Sequence, residues 1–415
     1  MTIRTSKAKA AGVQTNRRTL IIVICSAGLV LAIAVGTRQV FGLFLVPIST
    51  DLGWGRGVFS LAIALQNLIW GFTQPFTGMA ADRWGARPVV AVAGLVYALG
   101  LYLMASPASA GDLYLSAGLL IGLALSGSGF VIIMGAVGRV ASSANRGRAL
   151  GIVGACGSFG QFAMAPIGQS LINQFGWSDA LLIMAALGVA IACLSAAVPG
   201  PSRQDGYGQT QSASAAIYEA VTHRGYLFLS AGFFVCGFQI TFIIGHLPAY
   251  LRDIGLDVTT AATALGLIGL FNIAGSLLWG FLGDRFRKKY MLSLVYCGRA
   301  IITVLLLLLP PTAWNAYLFT AVAGLLWLGT IPLTSALIAD IFGPRHLASL
   351  FGLTFLSHQL GAFLGIWLGG YLFDALGSYD LVWWIVAALG LAAAALHMPI
   401  NDMPLRRPQP APQGA

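Results

Sequence analysis

The chain is short of charge. Only 9% of its 415 residues are Asp, Glu, Lys or Arg, against roughly 25% in a soluble domain, so polar groups cannot cover a water-facing surface. Acid is scarcer still, with a single glutamate, Glu219, in the whole sequence. The five cysteines (Cys25, Cys156, Cys193, Cys236 and Cys297) lie inside apolar runs without paired spacing. That argues against a disulfide framework or a zinc site and leaves them as small buried side chains. No His-Glu-x-x-His, Ser/His/Asp grouping or nucleotide-binding loop is present, and no segment is long enough for a separate soluble domain. A membrane-embedded enzyme or sensor is therefore a remote reading, which chemical turnover without vesicles would revive. No catalytic residue, metal or cofactor is expected.

What is present is hydrophobic: 58% of the residues are apolar. A basic start (Arg4, Lys7, Lys9, Arg17, Arg18) precedes an apolar run over 20–46, longer than the roughly 7–15 residues of a signal-peptide core. It reads as a retained first span, since about 20 residues cross the hydrocarbon. Eleven more spans are predicted at 57–80, 88–106, 112–137, 149–172, 179–198, 225–251, 259–282, 290–309, 315–339, 347–371 and 379–398. The expected organisation is a tail over 1–19, a six-helix half over 20–198, a non-helical linker over 199–224, a second half over 225–398, and a mobile Pro-rich tail over 399–415.

The net charge of +10 sits mostly in a few short loops, a pattern of membrane orientation rather than of nucleic-acid binding. With the N-terminus in the cytoplasm, 19 of the 23 Lys and Arg fall on the inside, and only Arg56 and Arg252 outside. Arg38 and Arg299 lie within spans. Both termini are thus expected inside.

A motif recurs at half-chain distance. Gly78-Met-Ala-Ala-Asp82-Arg83-Trp-Gly85-Ala-Arg87 returns 202 positions later as Gly280-Phe-Leu-Gly-Asp284-Arg285. Arg148-Ala-Leu-Gly151 is echoed by Ala348-Ser-Leu-Phe-Gly352, and Phe175-Gly176-Trp177 by Leu376-Gly377-Ser378, both offset by 201. The halves therefore run in register and in the same orientation, as six helices per half permit.

The Gly-x-x-x-Asp-Arg-x-Gly-x-Arg hinge between the second and third spans, with its repeat between the eighth and ninth, resembles the signature of the major facilitator superfamily. The second copy departs at Arg287, where the pattern prefers glycine. Within that superfamily the chain looks like the bacterial monocarboxylate-transporter-like branch. Four stretches carry this: Gly36-Thr-Arg38-Gln-Val-Phe-Gly-Leu-Phe44, Ser60-Leu-Ala-Ile-Ala-Leu-Gln66-Asn67, Gly245-His246-Leu-Pro248-Ala-Tyr and His358-Gln359-Leu-Gly361-Ala-Phe-Leu-Gly365. The Asp/Glu-Gly opening of many monocarboxylate transporters is absent from the first span. The resemblance implies an all-α membrane protein of twelve transmembrane helices in two pseudo-symmetric six-helix halves. It implies an inner bacterial membrane; a monomer is expected, though the sequence itself carries no sign of oligomeric state.

It also implies gating by the hinges (Gly78, Asp82, Arg83, Gly85, Arg87, Gly280, Asp284 and Arg285). Asp82, just beyond the second span, would face the positive N-terminus of the eleventh span while the outside is open. A plain topogenic turn is the competing reading.

Ionisable groups inside a span cost roughly 2.5–3.5 kcal/mol each. Arg38 lies about 20 residues beyond the basic N-terminus, a climb of roughly 30 Å, and no Asp or Glu lies well inside any span. A guanidinium so placed suits a two-pronged pair with a substrate carboxylate; satisfaction by backbone carbonyls is the alternative. Arg299 invites the structural reading. Gln239 and His246 share a helix face, with Pro248 expected to loosen the helix beyond them. His358 and Gln359 occupy the matching region of the eleventh span, and both histidines are candidate proton carriers. Asn67 and Gln161 complete the candidate substrate-binding set, or serve as helix–helix glue. Phe41, Phe44 and Phe242 would offer apolar surface to a short carbon chain.

The expected function is a secondary transporter of a small organic anion, a monocarboxylate, with a co-transported proton as a candidate partner. The alternative is efflux of drugs or other amphipathic compounds. The lack of an intramembrane acid weighs against export of cationic drugs.

Overall fold

The computed structural model describes residues 17–140, 146–198, 200, 213–343 and 346–405, and among them every regular element is helical. The first half comprises α1 (Arg17–Gln39), α2 (Phe41–Asp51), α3 (Arg56–Trp84), α4 (Ala86–Met104), the short α5 (Ala110–Leu113), a π-helical stretch Tyr114–Leu120, α6 (Ile121–Ser128), α7 (Phe130–Val140) and α8 (Arg146–Leu194). Then come α9 (Ala213–Thr222), α10 (Arg224–Asp253), α11 (Val258–Arg285), α12 (Lys288–Leu308), α13 (Ala313–Leu325), α14 (Thr330–Phe342), α15 (Leu347–Leu376) and α16 (Asp380–His397).

Among the described residues, ten helices suffice by length and hydropathy to cross a membrane. The expected twelve follow only on two further observations. The stretch 148–197 is broken at Gly176, whose φ of 80° reverses the chain in a region open to glycine and costly for other residues. The 29-residue α3 is long enough but carries Gln66, Asn67, Gln74, Asp82 and Arg83, which lower its hydropathy. Polarity is inverted relative to a soluble protein. Leu277, Phe76, Leu308 and Phe281 are exposed, while Gln66, Asn67, Gln161, Gln239, Asn272 and Arg299 are buried. Lipid is the solvent that accounts for this arrangement.

Several expectations need correction. The first span breaks at Val40 between α1 and α2. The fourth breaks at Gly129, and the tenth between α13 and α14. Asp82 and Arg83 lie inside the last turn of α3, and Asp284 and Arg285 inside that of α11, not beyond them. The linker contains α9; the rest of 199–212 apart from Gly200, like the tail before 17 and after 405, lies outside the described residues. Pro248 does not interrupt α10. The tail beyond Pro399 is held rather than free over 400–405. Lys289 Nζ donates to the carbonyls of Met398 and Ile400 at 3.1 and 2.8 Å, Arg287 pairs with Asp402, and the Leu405 amide donates to Ile341 O at 2.9 Å.

Packing repeats between the halves. α1 lies along the first arm of α8, and α10 lies equivalently along α15. In each pair a glycine lets backbone meet backbone: a Cβ on Gly160 would strike Ala32, and one on Gly361 would strike Phe234. Across the interface α3 packs on α15, and α11 on α8, a reciprocal exchange consistent with an axis relating the two halves.

Candidate functional site

One face of the molecule is sealed. The N-cap of α3, Gly55, has no side chain to satisfy the first amides of that helix. Asp374, at the far end of α15, accepts from the backbone N–H of Arg56 at 2.9 Å and of Gly57 at 2.7 Å. A carboxylate there also meets the positive end of the helix dipole. The Arg56 side chain donates to both oxygens of Asp253 at 2.5 and 2.8 Å and to Tyr379 Oη at 3.1 Å, and its guanidinium lies 3.8 Å from the Phe373 ring centroid.

His246 belongs to this seal. Its Nε2 is 2.8 Å from Ile366 O and 3.4 Å from Ser60 Oγ, and its Nδ1 is 3.0 Å from Tyr379 Oη. A carbonyl only accepts, so Nε2 bears the hydrogen and Nδ1 accepts from the tyrosine. Both nitrogens are engaged and the residue is fully buried.

Below the seal, residues of both halves close on a tight crevice of about 10 Å³, room for about one water. Arg38, Phe41, Gly42, Phe59 and Ile63 line it from one half, and Thr241, Ile244, Gly245 and Ile366 from the other. Arg38 lies in the last turn of α1, just before the break at Val40. Its Nη2 donates to Asn67 Oδ1 at 2.8 Å, and its guanidinium lies 5.2 Å from the Trp70 ring centroid. Its Nε is buried without a partner, as is Thr241 Oγ1 across the crevice. No ion pair includes Arg38 among the described residues, and none of the buried residues described is Asp or Glu. The cation is left uncompensated by protein.

The remaining candidates divide. Gln359 Nε2 donates to Asn67 O at 3.2 Å, and His358 Nδ1 is 3.0 Å from Gln359 Oε1, so these two join Asn67 and Arg38 in one polar line across the halves. Gln161 Nε2 meets Gln39 Oε1 at 3.4 Å, leaving Gln161 Oε1 and Gln39 Nε2 buried and unpartnered. Gln239 is apart: it bonds Val386 O at 3.0 Å and lines a separate small cavity of about 10 Å³ inside the second half, with Arg299, Phe319 and Trp327. Arg299 is bonded by backbone carbonyls of Leu326 and Trp327. Of the three phenylalanines only Phe41 lines the crevice, whereas Phe242 packs edge-on against Trp383, with ring centroids 4.8 Å apart.

At the opposite face the hinge ends of the helices carry glycines beside open space. A Cβ built on Gly78, Gly151, Gly280 or Gly352 meets nothing within 4 Å, and these four are the repeat-related positions at the hinge ends of α3, α8, α11 and α15. Asp82 pairs with Arg139 of its own half at 3.2 Å. Gly85 turns α3 into α4 with φ 87°, a value suited to glycine, and Arg87 Nε donates to Val198 O at 3.2 Å. Arg83 lies over Trp84, while Asp284 and Arg285 are exposed. Towards the hinges, the described cross-half ring contact is Trp70 with Phe355, at 5.7 Å between centroids.

Sequence reasoning did not find Thr241, Asn272 or the seal. Asn272 Nδ2 donates to Ser158 Oγ at 2.9 Å, tying α11 to α8. The charges at span ends were a signal for the seal, but its pairings join residues 197 and 318 positions apart, which no local pattern encodes.

Two repeat-related halves that meet along their interface and close at a seal are how a membrane carrier is built. Comparison of sequences carries the assignment further. The profile of the Major Facilitator Superfamily matches residues 27–330 and 229–414, and the chain belongs to that superfamily. Monocarboxylate transporter 13 of Bos taurus is 28% identical over 414 residues, spanning 94% of this chain and 92% of the relative. The uncharacterized MFS-type transporter YcxA of Bacillus subtilis (strain 168) is 27% identical, spanning 88% of this chain and 91% of its own. Among solved structures, a bacterial homologue of the human lysosomal transporter Spinster, inward-facing and unoccupied, superposes with a TM-score of 0.74 at 16% identity, covering 92% of this chain and 97% of that one. A D-xylose–proton symporter gives 0.70 at 15%, covering 94% and 100%. The fold is shared with both.

Proposed function

We propose that this transporter carries a small organic anion, a monocarboxylate, across a bacterial inner membrane by alternating access. The observation that carries the reading is Arg38: a guanidinium at the interface of the halves, with a buried unpartnered Nε and no protein carboxylate. A substrate carboxylate would supply the missing charge and take two parallel N–H donors. Phe41, Phe59 and Ile63 would receive a short carbon chain. Relatives named monocarboxylate transporter, at 28% identity, support the same class.

In this reading the hinge face is cytoplasmic, both termini lie inside, and the structure is inward-facing. The units are the two halves, 20–198 and 225–398, joined by 199–224, in a monomer with a proton as co-substrate. Gly78, Asp82, Arg83, Gly85 and Arg87 form one gating hinge and Gly280, Asp284 and Arg285 the other. Asp82 would exchange Arg139 for the N-terminus of α15 when the cytoplasmic face closes.

Binding tests the anion directly. In detergent, lactate, pyruvate, acetate and longer or branched acids are titrated while unfolding temperature is followed. A ligand at about 100 times its Kd stabilises by about 2.7 kcal/mol, a readable shift. The reading predicts stabilisation by at least one acid, lost in Arg38→Ala. Stabilisation that survives in Arg38→Ala would contradict it.

A further inference from the structure

Arg252 lies in the last turn of α10, at the sealed end of the molecule. It is exposed, and among the described residues its side chain makes no ion pair and no hydrogen bond. The other arginine of that end, Arg56, is committed to Asp253 and Tyr379. The remaining charges there are acids: Asp51, Asp112, Asp179, Asp257, Asp374 and Asp380. An anion arriving at this end therefore meets one uncommitted cation.

That cation stands over a seam between the halves. Arg252, Ala249 and Pro248 line the seam from the second half, and Gly42, Val46 and Pro47 from the first. The space is about 20 Å³, again room for about one water. Gly42 also lines the crevice that holds Arg38. The two spaces thus lie back to back, divided where Gly42 meets α10. A Cβ on Gly42 would strike Ile244 O, the carbonyl that Pro248, having no N–H, leaves without its helical partner. Pro47 lines the same seam at the repeat distance of 201 from Pro248. Depth follows from the helix rise. Arg38 precedes Gly42 by about one turn, as Thr241 precedes Ile244, so Arg38 and Thr241 are roughly level. Arg252 comes eleven residues after Thr241, a rise of about 16 Å.

We propose that Arg252 is an encounter site for the anionic substrate, at the sealed-side mouth of the seam and ahead of Arg38. When α2 parts from α10 at Gly42, the two spaces join, and the carboxylate passes from one guanidinium to the other. Their separation of about 16 Å exceeds the screening length of roughly 8 Å at physiological salt, so the two cations do not oppose one another. A positive mouth on an otherwise acidic end raises the local concentration of anions and turns cations away. The proposal rests on the transport reading, since an encounter site serves an anion that goes on to Arg38.

The test needs no substrate. In a chain without its native cysteines and of verified fold, Val46→Cys places a thiol in the seam that Arg252 lines. It is labelled from the sealed side, at low salt, with anionic sulfonatoethyl methanethiosulfonate and separately with the cationic trimethylammonioethyl reagent. The ratio of the two rates, anion over cation, is the readout. The site predicts that this ratio falls roughly tenfold in Arg252→Gln and is kept in Arg252→Lys. The difference should vanish near 1 M salt, where screening acts within about 3 Å. A packing role alone would change both rates together and leave their ratio. A ratio unchanged in Arg252→Gln, or a thiol that neither reagent reaches, would overturn the assignment. Neither result involves Arg38, whose titration with acids in detergent stands or fails separately.

Discussion

At the residue scale, the central fact is a cation whose counter-charge is missing. Arg38 has one side-chain acceptor, Asn67, and an aromatic face, Trp70. Lysine keeps the charge but loses the planar fork. Arg38→Lys should therefore retain binding weakened by roughly tenfold or more, since charged hydrogen bonds contribute about 1.5–3 kcal/mol each. Arg38→Ala should abolish it, and calorimetric titration with the stabilising acid separates the two. Arg38 stood out in the sequence because it interrupts an apolar run. Thr241 did not, because a threonine in a span is unremarkable until its hydroxyl is seen buried and unpartnered beside the crevice. His246 titrates near neutral pH in the abstract, but Tyr379 and Ile366 occupy both nitrogens and place it in the seal.

At the scale of elements, the hydrophobic runs announced the spans and the repeat announced the halves. The interruption between α13 and α14 was not visible because Leu325-Leu-Trp-Leu328 stays apolar, and those at Val40 and Gly129 follow short polar stretches, Thr37-Arg38-Gln39 and Ser126-Gly-Ser128, with no helix-stopping proline. What the glycines do became specific only with neighbours in place. Gly361 sits where α15 crosses the backbone of α10 at Phe234, so Gly361→Leu should lower stability by roughly 1–3 kcal/mol through overpacking, read as a lower unfolding temperature in detergent. Gly352→Leu, with open space around it, should leave that temperature nearly unchanged.

The terminal segment makes a pH-dependent prediction at the same scale. Hydrogen bonding from Arg287 holds the Asp402 carboxyl below its ordinary value. A depressed carboxyl contributes stability that is present above the unfolded value, about 3.9, and is lost as pH falls through the folded one. Docking of 398–405 should therefore hold at neutral pH and weaken below about pH 4. Hydrogen exchange of the Leu405 amide, bonded to Ile341 O, measures this. In Asp402→Asn the acid-dependent step should vanish.

For the whole molecule, the seal and the hinges are at opposite ends of the same helices. Asp374 caps α3 from the other half, and opening that face must break this contact together with Arg56–Asp253. Asp374→Asn removes the charge from two donors and should shift the balance towards opening on that side by about tenfold, or 1.4 kcal/mol. A reporter Ile63→Cys, in a chain without its native cysteines, should then label faster with an impermeant thiol reagent applied from the sealed side. Unchanged labelling would mean that the seal holds without the cap. The superfamily was legible from the hinge and its repeat, whereas the conformation was not, since both states share one sequence.

The most direct measurement of the account is uptake of labelled short carboxylates into proteoliposomes, with and without an inward proton gradient, by the natural chain and by Arg38→Ala of verified fold. The account predicts saturable uptake of at least one monocarboxylate, driven by the gradient and lost in Arg38→Ala. Uptake undiminished in Arg38→Ala, or transport of amphipathic compounds with no acid carried, would contradict it.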